Sequence, residues 1–336
     1  MSIEKSQSEI SIDDQNYNFP YKFGISKELE NVNSNNYFNA SIHCLVNIKS
    51  LSIQLIKSPN LNNDKYIKFI SNLTEIEGNE EKKNNYIKES IKELKKYIIN
   101  EKKYPYEINN DPRKLIDFLL KDLLKKNELP KEMLTIINKE CSSCGKITES
   151  NDDALNIVKF NIPEIIKSKN INKNNNTIQN NKITIYDCFD YYLKSLNNKQ
   201  SFYCHKCQSQ KFVISKIELP SILIIFIDYG TNKNCCYENS YEFDEEINFK
   251  KIGLENNNKE YFLSSIIACK NIGTYFELFY TFAREDESSK YILYNGMEVR
   301  NNIGVKNKLI KNKINLKDKK QSWPFVLIYT DKNIKI

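Results

Sequence analysis

Histidine is almost missing from this chain, and its scarcity limits the chemistry that the chain can perform. Of 336 residues only two are histidine, His43 and His205. A reaction that needs an imidazole as its proton acceptor must therefore use one of these two side chains.

Long hydrophobic runs are missing as well. The most apolar stretch, from Ile222 to Ile227, has the length of a β-strand and stops at Asp228. It falls far short of the roughly 20 apolar residues that cross a bilayer. The first residues, MSIEKSQSEISIDD, are polar and partly acidic, which is unlike a secretory or mitochondrial leader. We expect a soluble protein without a membrane span.

Cysteine and net charge are both modest. The 9 cysteines are too few for a disulfide-rich secreted scaffold, so a reducing compartment, cytoplasm or nucleus, is expected. The net charge of +7 allows an acidic partner without requiring nucleic acid. The basic stretch Lys306–Lys320 could contact RNA, but we interpret it as a solvated loop.

What the chain does have is enough apolar material for a large core. Hydrophobic residues make up 40% of it and aromatic residues 12%. Helical spacing of apolar residues extends from Asn35 to about Leu124, and short β-like runs follow from Ile136 onward. An Asn-rich tract, 170–181, predicts a surface loop between such runs. A helical half followed by a β half predicts an α+β fold. The β-like runs lie at 157–162, 212–219, 222–227, 261–268, 275–282 and 325–329.

Two CxxC pairs form the clearest motif. Cys141 and Cys144 make the first pair and Cys204 and Cys207 the second, with 59 residues between the pairs. Each CxxC turn brings two thiolates near one point, and two such turns complete a tetrahedral S₄ site for one Zn²⁺ ion. Gly145 permits the backbone conformation that such a turn often needs. Because no coordination position stays open, the zinc is predicted to be structural. The pairs are expected on separate β-hairpins.

Six segments in order along the chain resemble motifs of the ubiquitin-specific proteases. The resemblance implies a papain-like fold with a helical thumb, zinc-binding β fingers and an antiparallel β palm. It also implies a polar segment at 1–23 before a domain at 24–336, divided into thumb 24–130, fingers 131–215 and palm 216–336. The segments are 29–40 (LENVNSNNYFNA), 113–124 (RKLIDFLLKDLL), 211–227 (KFVISKIELPSILIIFI), 261–268 followed by 277–284 (ELFYTFAR) as one motif, 291–299 (YILYNGMEV) and 325–329 (FVLIY).

The positions that the resemblance assigns to catalysis carry the wrong residues. Active members use a Cys–His–Asp/Asn triad, in which a thiolate attacks the isopeptide carbonyl. Here Asn36 stands at the nucleophile position and Leu278 at the base position. Asn295 falls at the third triad position and Asn31 at the oxyanion-stabilising position. Shifting the register of the base motif supplies no base, because no histidine follows His205. The sequence therefore predicts a pseudoenzyme.

An alternative catalytic pair is formally present in Cys44 and His43. Adjacent helical residues point about 100° apart, and Cys44 lies on the apolar stripe with Leu45 and Ile48, so a buried core thiol is expected. Four further cysteines lack a nearby histidine in sequence and are interpreted as incidental: Cys188, Cys235, Cys236 and Cys269.

The resemblance implies a non-catalytic scaffold or regulatory subunit of an intracellular complex. Residues 35–40 (NNYFNA) resemble in particular the inactive spliceosomal branch of the family. Proteasomal, histone-modifying and deadenylase complexes are the other expected hosts. Two alternatives stay open: a module that binds ubiquitin without cleaving it, and an active deubiquitinase with a displaced site.

Overall fold

A computed structural model gives the architecture of most of the chain. No helix in the described part is long and apolar enough to cross a membrane. The described residues are 36–60, 63–75, 86, 90–104, 111–130, 133–134, 136–150, 157–171, 183–198, 204–209, 212–230, 241–252, 259–272, 276–284, 291–295, 298–301 and 322–334.

The first part of the described chain is helical, as predicted. Its helices pack into one layer, and a π-helical turn, Tyr97–Glu101, closes the helical stretch that begins at residue 90. The helices are α1 (Asn36–Val46), α2 (Lys49–Ile56), α3 (Lys65–Glu75) and α4 (Pro112–Lys125).

Helix α4 has clear start and stop signals in the sequence. Asp111 caps its first turn by accepting a hydrogen bond from the backbone N–H of Arg113, and Pro112 occupies the first helical position. At the other end Asn127 adopts a left-handed conformation with φ of 57°. The Asn127 and Glu128 amides then satisfy the last free carbonyls, which ends the helix in a Schellman motif.

In the second part, the described residues form thirteen strands in three sheets. They are β1 (Ile136–Cys141), β2 (Ile147–Ser150), β3 (Val158–Asn161), β4 (Ile183–Thr184), β5 (Phe212–Glu218), β6 (Ile222–Asp228), β7 (Tyr241–Glu242), β8 (Glu246–Asn248), β9 (Glu260–Ile272), β10 (Phe276–Arg284), β11 (Tyr291–Asn295), β12 (Glu298–Asn301) and β13 (Ser322–Asp331).

The large sheet has eight strands in the described part of the chain, in the order β12-β11-β10-β9-β13-β6-β3, with β8 paired to β9. Its neighbours are antiparallel except for β3 and β6. Strand β6 is buried on both faces, which is why it reads as an unbroken apolar run. Ile224 and Phe226 face the core shared with the helical layer, whereas Leu223 and Ile225 face a second core.

The second core is covered by two helices that the sequence reading did not predict, α5 (Ile162–Ile171) and α6 (Ile185–Asn198). The expectation of a purely β second half was therefore wrong at these residues. The β-like runs themselves are confirmed, because a strand of the structure overlaps each of them.

The small sheet consists of β2, β1 and β5, in that order and antiparallel throughout. A two-stranded parallel pair, β4 and β7, lies apart from it. A helical layer, a mostly antiparallel large sheet and a small sheet that carries the cysteines confirm the predicted α+β, papain-like fold class.

Candidate metal centre and cleft positions

The four predicted cysteine ligands come together at one end of the small sheet. The Sγ atoms of Cys141, Cys144, Cys204 and Cys207 all lie within 4.8 Å of one another. Two separations join the two pairs: Cys141 to Cys207 at 3.5 Å and Cys144 to Cys204 at 3.7 Å. A tetrahedral ion with metal–sulfur bonds of about 2.3 Å would place its ligands roughly 3.8 Å apart. The cluster therefore fits a single metal ion held by four thiolates.

Each CxxC pair lies on a tight turn, and the two turns share one backbone pattern. In the first, the Gly145 amide donates to the Cys141 carbonyl at 2.8 Å; in the second, the Gln208 amide donates to the Cys204 carbonyl at 2.7 Å. Gly145 and Gln208 both adopt left-handed φ values, 66° and 59°. Glycine accepts this conformation easily, so Gly145 is explained; nothing in the sequence marks Gln208 for the same role.

The first turn connects β1 to β2, as the prediction of a β-hairpin requires. The second precedes β5, and the residues on its other side lie outside the described part. The hydroxyl of Ser143 donates to that of Ser209 at 2.8 Å and links the two turns directly. Burial alone would raise the pKa of Cys141, but backbone N–H donors from Ser143 and Cys144, together with the neighbouring thiols, lower that pKa to about 6. The Ser209 amide would lower the pKa of Cys207, but burial and the neighbouring thiols raise it to about 12, so without a metal ion the thiols of the cluster share protons.

Two contacts fix the direction of α1 on the large sheet. Thr281 on β10 donates from Oγ1 to the Ala40 carbonyl at 2.9 Å. One helical turn later, Ser265 Oγ on β9 lies 3.5 Å from the Sγ atom of Cys44, and Ser265 pairs with Ala283 of β10. Helix α1 therefore runs in the same direction as β10.

This direction brings the predicted catalytic positions to one end of the helix–sheet contact. Asn36 is the first residue of α1 and precedes Ala40 by one turn, about 6 Å. Leu278 lies on β10 three residues before Thr281, about 10 Å along the strand. Asn295 ends β11 and pairs with Tyr280. The backbone thus places Asn36, Leu278 and Asn295 in one region, while Asn31 lies outside the described residues.

The alternative pair Cys44 and His43 is enclosed. Both residues are buried in α1, and burial lowers the pKa of His43 to about 3. Burial also raises the pKa of Cys44 to about 12, although the hydrogen bond from Ser265 opposes this. The prediction of a core thiol at Cys44 is confirmed.

Of the other residues discussed in the sequence analysis, some are buried and the rest lie outside the described part of the chain. Cys188 and Cys269 are buried, and burial raises the pKa of the Cys188 thiol. Cys235, Cys236 and the basic stretch Lys306–Lys320 lie outside the described residues. The contacts of Ser265 and Thr281 were not predicted, because neither residue carries a motif.

Comparison with protein families gives one match over most of the chain. The sequence profile of the family described as ubiquitin carboxyl-terminal hydrolase matches residues 28–329. Comparison with curated protein sequences finds no similar protein.

Solved structures of the same fold also exist. One is described as an essential yeast splicing factor, with a TM-score of 0.55 and 14% identity, covering 92% of this chain and 70% of the other. Another is the SAGA DUB module, with a TM-score of 0.51 and 13% identity, covering 92% and 68%. A yeast SAGA DUBm structure with an Sgf73 mutant has a TM-score of 0.50 and 14% identity, covering 92% and 69%. At these identities the likeness supports the fold alone.

Proposed function

The chain belongs to the ubiquitin carboxyl-terminal hydrolase family, and we propose that it is a non-catalytic member. We propose further that it acts as a structural or regulatory subunit of a larger protein complex. Triad members that cleave isopeptide bonds need a thiolate nucleophile and an imidazole that holds its proton. The observation that carries the proposal is the location of the two histidines.

Neither histidine lies on β10, the strand that bears the predicted base position. His43 lies in the interior of α1, where a pKa of about 3 keeps it neutral at pH 7. His205 lies in the second CxxC turn, on the small sheet. No histidine follows position 205, so β10, the strand that bears Leu278, has none. Loss of nucleophile and base together costs on the order of 10⁶-fold in a triad protease.

The enclosed thiol of Cys44 does not supply a substitute nucleophile. Burial raises its pKa to about 12, so at pH 7 it is a protonated thiol and not the nucleophilic thiolate. It also lies two turns along α1 from Asn36, on the side that packs against Ser265. A core position explains Cys44 better than a catalytic one.

The proposed role as a subunit is supported by the fold. Solved structures of this fold include a SAGA DUB module and an essential splicing factor. We propose protein partners in the cytoplasm or nucleus, with the host open among spliceosomal, proteasomal, histone-modifying and deadenylase complexes.

Zinc is the proposed metal of the four-cysteine cluster. Four thiolates on two turns form a closed, soft ligand set that suits Zn²⁺ and leaves no position for water or substrate. The ion would hold the two turns together and would take no part in hydrolysis.

The decisive experiment uses ubiquitin with an electrophile at its C-terminus. The full chain is expected to form no covalent adduct, whereas an active member of the family, run beside it as a control, is labelled completely. An adduct that disappears in the Cys44→Ser variant would overturn the proposal. Endogenous protein should also elute with partner subunits, and a monomer at native concentration would argue against the subunit role.

A further inference from the structure

The small sheet is joined to the large sheet by a very short connection. Strand β5 ends at Glu218 and β6 begins at Ile222, so residues 219–221 form the junction segment between them. A three-residue link of this kind bends freely if its carbonyls are hydrated, and it is rigid if they are bonded to fixed groups.

All three carbonyl oxygens of the junction segment accept hydrogen bonds from residues at the end of the large sheet. The Leu219 carbonyl accepts from Lys259 Nζ at 2.6 Å, and the Pro220 carbonyl accepts from the Tyr261 hydroxyl at 2.6 Å. The Ser221 carbonyl accepts from the Asp331 amide at 2.8 Å. Lys259 Nζ donates in addition to Ser221 Oγ at 3.2 Å.

The donors are themselves held in place. Tyr261 is fully buried in β9, pairs with Ile247 and Asp331, and stacks edge-to-face on Phe249 at 5.4 Å. Asp331 is buried at the end of β13, and its carboxylate accepts from the Asn333 amide at 3.0 Å. Tyr261 and Asp331 therefore sit on regular, packed strands, and Lys259 immediately precedes β9.

The ammonium group of Lys259 also interacts electrostatically with two carboxylates that belong to different sheets. Burial lowers the pKa of its amine, and the charges of Asp331 on the large sheet and Glu218 on the small sheet oppose that shift. A single ammonium group thus attracts charges on both sides of the junction segment. Without Lys259 this electrostatic link between the two sheets would be absent.

We infer that the junction segment is a locked hinge: Lys259, Tyr261 and Asp331 hold the small sheet and the large sheet as one rigid unit. If the chain is the non-catalytic subunit proposed above, a partner that spans both sheets meets a preformed surface and does not need to close a hinge first.

Hydrogen exchange read by mass spectrometry on the full, metal-loaded chain tests the inference. The Lys259→Met, Tyr261→Phe double variant removes three side-chain bonds and keeps most of the packing volume. We expect peptides that cover residues 217–223 to exchange about tenfold faster or more, while peptides from β9 and β13 away from the junction keep their rates.

The matched control is Lys332→Met. Lys332 lies at the same end of the sheet and pairs through Nζ with Glu246 and Glu260, but its side chain makes none of the junction bonds. In the Lys332→Met variant the 217–223 peptides should exchange as in the wild type.

Unchanged exchange in a folded double variant would overturn the locked hinge. If the double variant fails to fold, the single variant Tyr261→Phe is measured instead, because it removes only a hydroxyl. Its 217–223 peptides should also exchange faster than in the wild type, and unchanged exchange would overturn the locked hinge. The reaction with the ubiquitin electrophile does not depend on these side chains, so the locked hinge and the proposed lack of catalysis can fail independently.

Discussion

Asp64 is an enclosed carboxylate at the start of α3, and its side chain is only 4% exposed. Its Oδ1 accepts from the Tyr66 amide at 2.9 Å and so caps the helix, while its Oδ2 accepts from Lys102 at 3.0 Å and from Lys126. Burial alone would raise the pKa of Asp64, but the hydrogen bonds from Lys126 and Lys102 outweigh burial and lower it.

A lowered pKa in the folded state means that Asp64 stabilises the fold at pH values above its unfolded pKa, about 3.9, and that this stabilisation is lost as the pH falls further. We expect Asp64→Asn, which keeps the helix cap, to reduce the free energy of unfolding at pH 7 by about 1.5–3 kcal/mol, the usual contribution of hydrogen bonds to a charged group. Urea unfolding at pH 7 and pH 3 measures this, and the difference from wild type should shrink at pH 3.

Asp117→Asn is the control for that measurement. Asp117 pairs with Lys121 one turn along α4, and the Lys121 side chain is 57% exposed, so its removal should cost less than about 0.5 kcal/mol. Equal losses for the two variants, or a loss at Asp64 that does not depend on pH, would contradict the assigned role of Asp64.

Sequence reading was most reliable at the residue scale where the relevant partners are close in sequence. The four cysteine ligands follow from CxxC spacing, and the buried Cys44 follows from helical periodicity. The partners of Asp64 were out of reach, because Lys102 and Lys126 lie 38 and 62 residues away and carry no motif. Only tertiary packing brings them together.

At the scale of elements, we expect the small sheet to depend on a metal ion held by the four cysteines. Of the side chains described in β1, β2 and β5, only Ile217 packs against either hydrophobic core. Among the described side chains, the cysteine cluster is the contact that joins the two turns at the far end of this sheet. Structural zinc contributes roughly 10–16 kcal/mol in small peptides, enough to decide whether such a sheet folds.

Removal of the metal should unfold the small sheet and leave the large one intact. After chelation we expect residues 136–150 and 204–218 to lose protection from hydrogen exchange, while β6, β9 and β13 keep theirs. Cys207→Ser should give the same pattern, and Cys188→Ala, which removes a buried thiol outside the cluster, should not. Full protection in the metal-free chain would show that the cluster does not hold the sheet together.

Helices α5 and α6 show where an element was missed although a signal existed. In α6 the residues that contact the second core follow the spacing i, i+3, i+4 and i+7. They are Ile185, Cys188 and Phe189, which are buried, and Tyr192, which is partly buried. This is a helical period, but the segment is rich in Ile, Phe and Tyr, which favour strands. The flanking Asn-rich tract also suggested a loop. Packing against the large sheet decides in favour of the helix.

At the scale of the whole molecule, the order of motifs predicted the fold class, but the way in which the layers share a core could not be read from the sequence. The alternation of side chains along β13 shows how the two layers share the sheet. Ile328 belongs to the core beneath the helical layer, whereas its neighbour Leu327 belongs to the core beneath α5 and α6. Strand register, not composition, decides which side chain enters which core.

Because one sheet forms a wall of both cores, the helical layer and the α5–α6 layer should unfold together. Ile328→Ala and Leu327→Ala are each expected to lower the free energy of unfolding by about 2–5 kcal/mol, since both side chains are fully buried. Urea unfolding followed by far-ultraviolet circular dichroism and by the fluorescence of Trp323, the single tryptophan, should show one main transition that both variants shift. Two separate transitions, with each variant moving only one, would mean that the layers are independent and that the large sheet does not couple them.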